Sequence, residues 1–390
     1  MMEPTQASPD PPPGDPPVGD IPIASGRWGP PGTSPNVQMG LVYWLVIVTV
    51  GGAASVLLGH PDGGLLFAIA GVFALAQSTD AAVVLAGYRE WVRDSLPARS
   101  PHGMLFRFVL RGILPFIGAL AYGGLAAWAL TSEPSRAHRL TAIWCGGAAL
   151  VSLALTSRRV ADFVTHLLFR SGAPGRTRRL TARIAVLMLL LPVPTRLMAP
   201  DIMAMLKDSG TALIDPAGLV TQMLGEIVIA LAGVGLFVRR DWSGTRERLG
   251  LVAMRPSQYG VVVAGFLGAI VLNAGMTWVQ QHQFPELWKQ DGAMVQLMAS
   301  SLPMWTTLLL GVSAGAGEEI LFRGALQPRL GVVLTALLFA CLHVQYTWFG
   351  MLTVGVLGAL LGTIRARTNT TTAILVHGLY DVYAAVTSGG

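Results

Sequence analysis

Charged side chains are scarce in this sequence, and lysine is almost absent. Only 12% of the 390 residues are Asp, Glu, Lys or Arg, and the lysines are Lys207 and Lys289. Hydrophobic residues make up 52% of the chain, an excess for a soluble domain with so few charges. The composition therefore excludes a soluble protein with a large core and predicts an all-α, polytopic transmembrane helical bundle.

Cysteine is also rare, and no soluble domain is evident. Cys145 and Cys341 fall in different apolar segments, which excludes a disulfide framework. The basic residues are spread over short loops, so nucleic acid is not an expected partner. Residues 1–36 are rich in Pro, Gly, Ser and Asp and contain no apolar stretch. We expect this segment to be a disordered tail, neither a signal peptide nor a folded domain.

Long apolar runs are what the sequence has in abundance. Runs of about 20 apolar residues predict roughly eleven transmembrane helices. Their predicted positions are 39–59, 64–86, 103–130, 140–157, 183–200, 216–238, 257–277, 302–327, 331–346, 348–364 and 371–387.

The distribution of arginine predicts the orientation of these helices. When eleven helices are threaded, the arginine-rich loops that follow residues 86, 157, 238 and 364 all fall on one side. The positive-inside rule assigns that side, and the N-terminus, to the cytoplasm. Arg136, Arg139, Arg196 and the two lysines are exceptions. Because the chain is rich in Arg, Ala and Gly, as in GC-rich bacteria, we expect a multi-pass protein of a bacterial cytoplasmic (plasma) membrane.

The sequence predicts one internal boundary. A basic linker at 158–182, which includes a possible amphipathic helix, separates a four-helix membrane region at 37–157 from the segment 183–390. No repeat of fixed period is present. In the tenth predicted helix, Gly355, Gly358 and Gly362 share one face, which predicts close packing against a neighbouring helix.

Two adjacent acids, Glu318 and Glu319, lie at the end of the apolar run that begins at Leu302. An acid at membrane depth costs several kcal/mol unless it is paired or faces water, so it marks a candidate functional site. Glu319 and Arg323 have the i, i+4 spacing of a helical ion pair, whereas Glu318 has no such partner. On spacing alone, Glu318 is the candidate general base and Glu319–Arg323 is the scaffold. Glu226 is a further intramembrane acid, to which the sequence assigns no catalytic role.

Two of the seven histidines lie well inside apolar segments. These are His343 and His377, and Asp381 follows His377 by one helical turn. At about 1.5 Å per residue, Glu318, His343, His377 and Asp381 can share one layer between the cytoplasmic surface and the midplane. Such a layer requires water, which predicts a cavity open to the cytoplasm.

These residues resemble three motifs of one family. Glu318–Arg323, with the sequence Glu-Glu-Ile-Leu-Phe-Arg, is similar to the EExxxR motif of the CAAX prenyl protease and bacteriocin-processing (CPBP, or Abi) family of intramembrane proteases. Phe339–His343 resembles its FxxxH motif, and His377–Asp381 resembles its HxxxN motif. The similarity covers residues 300–387 and extends more loosely back to residue 183, so that 183–390 is the expected protease domain.

The resemblance implies an intramembrane endopeptidase that hydrolyses a peptide or a membrane-protein substrate within the lipid bilayer. It implies that a water held at Glu318, the base, attacks the peptide bond, and that His343 helps to bind that water or the oxyanion. Glu319 and Arg323 are then expected to organise the site, with Glu319 contacting His377. His377 and the residue at 381 are expected to stabilise the tetrahedral intermediate.

The sequence departs from the family pattern in two places. The segment between the glutamates and His343 is short, because Pro328–Gly331 leaves almost no loop, and Asp381 replaces the usual Asn. An ionised Asp cannot donate a hydrogen bond to an oxyanion, although it can orient a protonated His377.

Metal use and two other functions stay open. Glu318, His343, His377 and Asp381 are a donor set that suits Zn²⁺, although no HExxH sequence is present, so both a metal-free and a zinc-dependent mechanism are retained. The alternatives to a protease are a transporter that uses the same acids and a non-catalytic membrane scaffold of the bacteriocin-immunity type.

Overall fold

The described part of the chain folds almost entirely into helices. The computed structural model describes residues 37–82, 104, 108–109, 111–132, 134–169, 175–200, 214–299 and 302–388. No strand is present in these ranges. The prediction of an all-α membrane bundle is therefore confirmed, and the predicted tail at 1–36 lies outside the described residues.

Seven helices of the described residues precede residue 200. They are α1 (Val37–Leu57), α2 (Pro61–Ala82), α3 (Ile113–Thr131), α4 (Arg136–Ala154), α5 (Arg158–Leu168), α6 (Arg176–Leu190) and α7 (Pro192–Leu197). The predicted boundary between residues 182 and 183 falls inside α6. This helix begins early because Asp80, at the end of α2, accepts hydrogen bonds from the first backbone amides of α6, those of Arg176 and Thr177.

The second half of the chain contains the remaining helices. They are α8 (Pro216–Val234), α9 (Trp242–Leu249), α10 (Pro256–Gln283), α11 (Pro285–Ala299), α12 (Met304–Ser313), a π-helical segment (Ala314–Leu326), α13 (Gln327–Leu342), α14 (Trp348–Arg367) and α15 (Thr370–Ser388). The short helices α9 and α11 were not predicted. Both are too short and too polar to give a transmembrane signal.

Eight helices among the described residues are long and apolar enough to cross a membrane, or nine if the bent pair α4–α5 counts as one span. The longest candidate, Met304–Leu342, is a hairpin with two limbs. Its chain turns back at Gly331, which has φ +79°, a left-handed conformation that glycine adopts without a steric penalty. The rings of Phe322 and Phe339 consequently lie 5.3 Å apart. The short Pro328–Gly331 connection is therefore sufficient to return the chain.

The two ends of the bundle differ in charge. We call one the arginine-rich end; there, Arg248 donates to the Gly324 carbonyl at 3.0 Å and the Thr370 hydroxyl donates to the Leu249 carbonyl. We call the other the arginine-poor end; there, His60 Nε2 lies 2.8 Å from Asp215 Oδ2. Helices α1, α2, α8, α10, α14 and α15 all run between these two ends.

The N-terminal helices share a core with the second half of the chain. Small residues of α2, such as Ala70 and Ala74, pack with Ala232 of α8. The indole N–H of Trp44 in α1 donates to the Leu236 carbonyl at 2.8 Å. Because this core is continuous, α1 and α2 hold α8 in place, and α8 in turn packs against the π-helical segment.

Candidate active site

The π-helical segment carries the two glutamates. A π-helix is rare, and where one occurs it frequently lies at a functional site. Glu319 and Arg323 are 0% and 1% exposed, and Glu319 Oε1 lies 2.9 Å from Arg323 Nη1, the ion pair that their spacing predicts. The Arg323 guanidinium also donates to the Gly358 carbonyl at 3.3 Å and lies 4.3 Å above the Phe339 ring. Glu319 and Arg323 therefore form a fully buried support.

His377, on α15, joins this support to the other acids. Its Nδ1–H donates to Glu319 Oε1 at 2.9 Å. Its Nε2 lies 3.4 Å from Asp381 Oδ2 and 3.9 Å from Glu318 Oε2. Both ring nitrogens of His377 thus face carboxylate oxygens, as the resemblance implied for the Glu319 contact.

Three glycines allow α15 to approach this closely. A Cβ on Gly378 would lie 2.8 Å from the Gly311 carbonyl oxygen, and one on Gly315 would lie 2.8 Å from that of Ile374. The backbones of α12, the π-helical segment and α15 are therefore in direct contact. Since Gly378 follows His377, this contact sets the distance between His377 and Glu319.

The predicted glycine face of α14 makes a second close approach. A Cβ on Gly358 would lie 3.1 Å from Phe339 and 3.3 Å from the Arg323 guanidinium, and one on Gly362 would meet Val332 at 2.9 Å. The prediction that this face serves helix packing is confirmed.

Glu318 differs from Glu319 in its surroundings. Its side chain is 15% exposed, and its nearest basic group is the His377 ring. Its buried Oε2 atom has no hydrogen-bond partner among the described residues. The exposed remainder of the side chain, which lines a cavity, is the part of Glu318 that a water or a substrate can reach.

His343 follows directly after α13. Its Nδ1–H donates to the Phe339 carbonyl at 2.9 Å, which leaves Nε2 as the free nitrogen. The Phe339 ring is 4.6 Å from the His343 ring and 6.0 Å from the His377 ring, between centroids. The two histidines therefore flank one phenylalanine.

A single cavity of about 1620 Å³ connects these groups. Glu318, His343, His377 and Asp381 all line it, whereas Glu319 and Arg323 lie behind its wall. The predicted site residues are thus brought together, with the exposed and the supporting glutamate divided as the spacing predicted.

The cavity does not open where the sequence analysis placed its mouth. Its lining includes residues of the arginine-poor end, among them His60, Asp215, Lys289 and Tyr346. No arginine lines it among the described residues. The sequence predicted a cavity open to the cytoplasm and assigned the arginine-rich side to the cytoplasm. The prediction of an opening at the arginine-rich end is wrong, and the assignment of the cytoplasmic side stays a prediction. Depth along the helices predicts that the acids share a layer. The side of that layer on which the cavity opens depends on how the helices pack.

Two further acids belong to the surroundings of the site. Glu226 on α8 is buried, and its Oε1 accepts a hydrogen bond from Gln222 at 3.1 Å. Its Oε2 is so close to Gly317, the residue before Glu318, that a Cβ there would lie 2.5 Å away. In the sequence, the position of Glu226 within an apolar run was the feature that marked it as a candidate.

Asp291 on α11 is the second acid. Its carboxylate accepts hydrogen bonds of 2.6 Å from the Thr347 amide, the Thr347 hydroxyl and the Gln280 side chain. These bonds fix α11 to the start of α14, four residues after His343. No sequence pattern indicated this contact, because α11 was not predicted.

The candidate metal-binding side chains make other contacts in this arrangement. The described residues contain no group of three His, Cys, Asp or Glu side chains placed to hold a metal ion. His377 directs both nitrogens to carboxylates, and His343 commits Nδ1 to a carbonyl.

Comparison with known proteins finds one family that matches the region of the site. Residues 300–383 match the family of type II CAAX prenyl endopeptidase Rce1-like proteins. The chain is 30% identical over 171 residues to the uncharacterized protein YpbD of Bacillus subtilis (strain 168), an alignment that covers 42% of this chain and 85% of that protein. No solved structure gives a significant match. The chain is thus a multi-pass membrane protein of the CAAX-protease-like class. It belongs to the Rce1-like family of type II CAAX prenyl endopeptidases.

Proposed function

We propose that this protein is an intramembrane endopeptidase in which Glu318 activates a water molecule to hydrolyse a peptide bond. The observation that carries the proposal is the division of the two glutamates. Glu319 is held by Arg323 and His377 outside the cavity, whereas Glu318 faces the cavity beside His343, His377 and Asp381. One carboxylate is thus available as a base and the other is committed to structure.

In the proposed reaction, the water lies between Glu318 and the free Nε2 of His343. Because Nδ1 of His343 carries its proton toward Phe339, Nε2 can accept a hydrogen bond and orient the water. Glu318 takes a proton as the water oxygen attacks the substrate carbonyl carbon. When the tetrahedral intermediate collapses, the C–N bond breaks and Glu318 returns that proton to the leaving amine.

His377 is the proposed stabiliser of the oxyanion. Its Nδ1–H is committed to Glu319, so Nε2 is the nitrogen directed to the cavity. Contacts with carboxylates at both nitrogens favour the doubly protonated ring. In that form, Nε2–H can donate a hydrogen bond to the oxygen on which negative charge develops. Asp381 orients the ring. We propose that no metal takes part, because the candidate metal-binding side chains make other contacts.

The arrangement gives less support to a transporter. A transporter needs a path that reaches both faces, whereas the described part of this cavity does not reach the arginine-rich end. Phe322, Leu338 and Phe339, all nearly fully buried, pack on that side.

The test is Glu318→Gln, which keeps the shape of the side chain and removes the base. Removal of a general base typically costs about 10²–10⁴-fold in rate, so cleavage should fall by at least about 10²-fold. Quantitative proteomics of membranes that contain wild type or Glu318→Gln would identify peptides that only the wild type releases. Glu286→Gln is the matched control, because Glu286 is exposed and its one ion pair among the described residues is with Lys289. Equal peptide patterns in wild type and Glu318→Gln would refute the proposal.

A further inference from the structure

We propose that the cavity receives its substrate from the side of the membrane opposite the cytoplasm. The substrates are then segments of exported or membrane proteins that are presented on that side. This inference rests on the proposed function for the existence of a substrate. The side itself follows from the placement of the cavity and of the arginines.

Most of the residues that line the cavity lie at the arginine-poor end, and the others lie deeper in the bundle. The α1–α2 junction, the start of α8, helix α11, the α13–α14 junction and the end of α15 all contribute lining residues. Examples are His60, Gly218, Gln296, Gln345 and Ser388. These junctions are mutually connected: His60 pairs with Asp215, the Arg196 guanidinium donates to the Tyr346 carbonyl, and Asp291 binds Thr347. The described residues that border the open side of the cavity thus belong to junctions at the arginine-poor end.

The floor of the cavity lies toward the arginine-rich end. It consists of the buried Glu319–Arg323 pair and, below it, Gln327, which donates to the Gly362 carbonyl at 2.7 Å. Arg248 of α9 closes the end of the π-helical segment by donating to the Gly324 carbonyl. A substrate from the arginine-rich end would have to displace this packed layer.

The basic residues assign the two ends to the two sides of the membrane. The arginine-rich end carries Arg158, Arg159, Arg176, Arg178, Arg179, Arg239, Arg240, Arg246, Arg248, Arg255, Arg329, Arg365 and Arg367. Short loops with such an excess of arginine stay in the cytoplasm.

The basic residues of the other end do not balance this excess. Among the described residues, they are Arg136, Arg139, Arg196 and Lys289. Lys289 pairs with Glu286 at 2.9 Å, and the Arg196 guanidinium donates a hydrogen bond to the Tyr346 carbonyl. The rim of the cavity therefore faces away from the cytoplasm.

The size and edge of the cavity suit a polypeptide. Its volume of about 1620 Å³ exceeds the roughly 300–1,000 Å³ of pockets that enclose small ligands. Helix α11 lies at the rim with Trp288, a half-exposed residue of the type that concentrates at membrane interfaces. A chain segment can thus enter at the level of the lipid headgroups and reach Glu318.

Sided labelling of single cysteines tests the orientation without any assay of cleavage. The background is Cys145→Ala with Cys341→Ala, both of which are buried thiols. Lys289→Cys reports access to the rim, and Thr353→Cys reports access to the cavity wall. Glu247→Cys, at an exposed position of α9, is the matched control for the opposite end. A charged, membrane-impermeant methanethiosulfonate reagent is applied to right-side-out and to inside-out vesicles, and denatured samples verify that each cysteine is present.

The expected result is that Lys289→Cys and Thr353→Cys react in right-side-out vesicles only, and Glu247→Cys in inside-out vesicles only. Ala384→Cys, also on the cavity wall, replaces Thr353→Cys if that variant does not fold. Reaction of the wall cysteine only from the cytoplasmic side would overturn the inference.

The location of cleavage sites provides the second test. Peptides that depend on Glu318 should come from segments on the side opposite the cytoplasm. If they come from cytoplasmic segments, the inference fails while the proposed function stands. If no peptide depends on Glu318, the proposed function fails, and the labelling still decides the orientation.

Discussion

Nδ1 of His377 lies 2.9 Å from Oε1 of Glu319, although the two residues are 58 positions apart in the chain. The same oxygen lies 2.9 Å from Nη1 of Arg323. Glu319 thereby ties α15 to the π-helical segment and holds the ring whose other nitrogen faces the cavity. The consequences of this contact can be tested separately from those of the neighbouring Glu318.

Glu319→Gln should unfold the protein more easily. The substitution removes one partner of a fully buried ion pair and leaves the Arg323 guanidinium without a counter-charge, which typically costs about 3–5 kcal/mol. Thermal unfolding in detergent, followed by circular dichroism, measures the effect. Glu318→Gln is the matched control: it is expected to lose activity while it keeps the unfolding temperature of the wild type. If both variants unfold alike, the division of roles between the two glutamates is wrong.

Gly378→Ala should reduce cleavage by separating α15 from α12. The added methyl group would lie 2.8 Å from the Gly311 carbonyl oxygen, a backbone atom that cannot rotate away. Because His377 precedes this position, its contact with Glu319 should lengthen. Reporter cleavage and the unfolding temperature are the measurements.

Gly268→Ala on α10 is the control for the change in helix propensity. A Cβ at Gly268 meets no atom within 4 Å, and alanine is favoured over glycine in a helix by about 1 kcal/mol. This variant should retain full activity and at least the stability of the wild type. Full activity in Gly378→Ala would show that the close approach does not position His377.

Asp381→Asn should retain most of the activity, and Asp381→Ala should lose it. Asp381 Oδ2 lies 3.4 Å from His377 Nε2, a distance that the amide oxygen of asparagine can reproduce. The amide group can in addition donate to an oxyanion, which an ionised Asp cannot do. Initial rates on one reporter, with both variants at equal membrane abundance, give the comparison. An inactive Asp381→Asn would mean that the negative charge itself is required.

Treatment with a chelator should leave activity unchanged. The described residues place no three His, Cys, Asp or Glu side chains around a common point, and water activation is assigned to the Glu318 carboxylate. Purified protein is dialysed against EDTA, assayed, and analysed for zinc by mass spectrometry. Loss of activity that returns on addition of Zn²⁺ would contradict the metal-free mechanism.

Local spacing explains the part of the site that the sequence could predict. Glu319 and Arg323 are neighbours on one helical turn, so their pairing and the isolation of Glu318 follow from positions four residues apart. The contact between Glu319 and His377 depends on a distant helix, and only the family resemblance predicted it.

Packing between distant helices determines the rest. The approach of Glu226 to Gly317 depends on how α8 lies against the π-helical segment. Asp291 reaches Thr347 through α11, a short and partly polar helix without a transmembrane signal. The direction in which the cavity opens also depends on packing between distant helices, so no single segment of the sequence predicts it.

The closed floor of the cavity has an electrical consequence. A water-filled chamber that enters the bilayer from one side carries the potential of that side inward, so that most of the transmembrane voltage falls across the packed layer beneath it. A net charge that moved through that layer would exchange roughly 2.3 kcal/mol with a potential of about 100 mV. The layer contains Glu319 and Arg323, whose charges cancel. The membrane potential therefore exerts little net force on the groups that hold His377 in place.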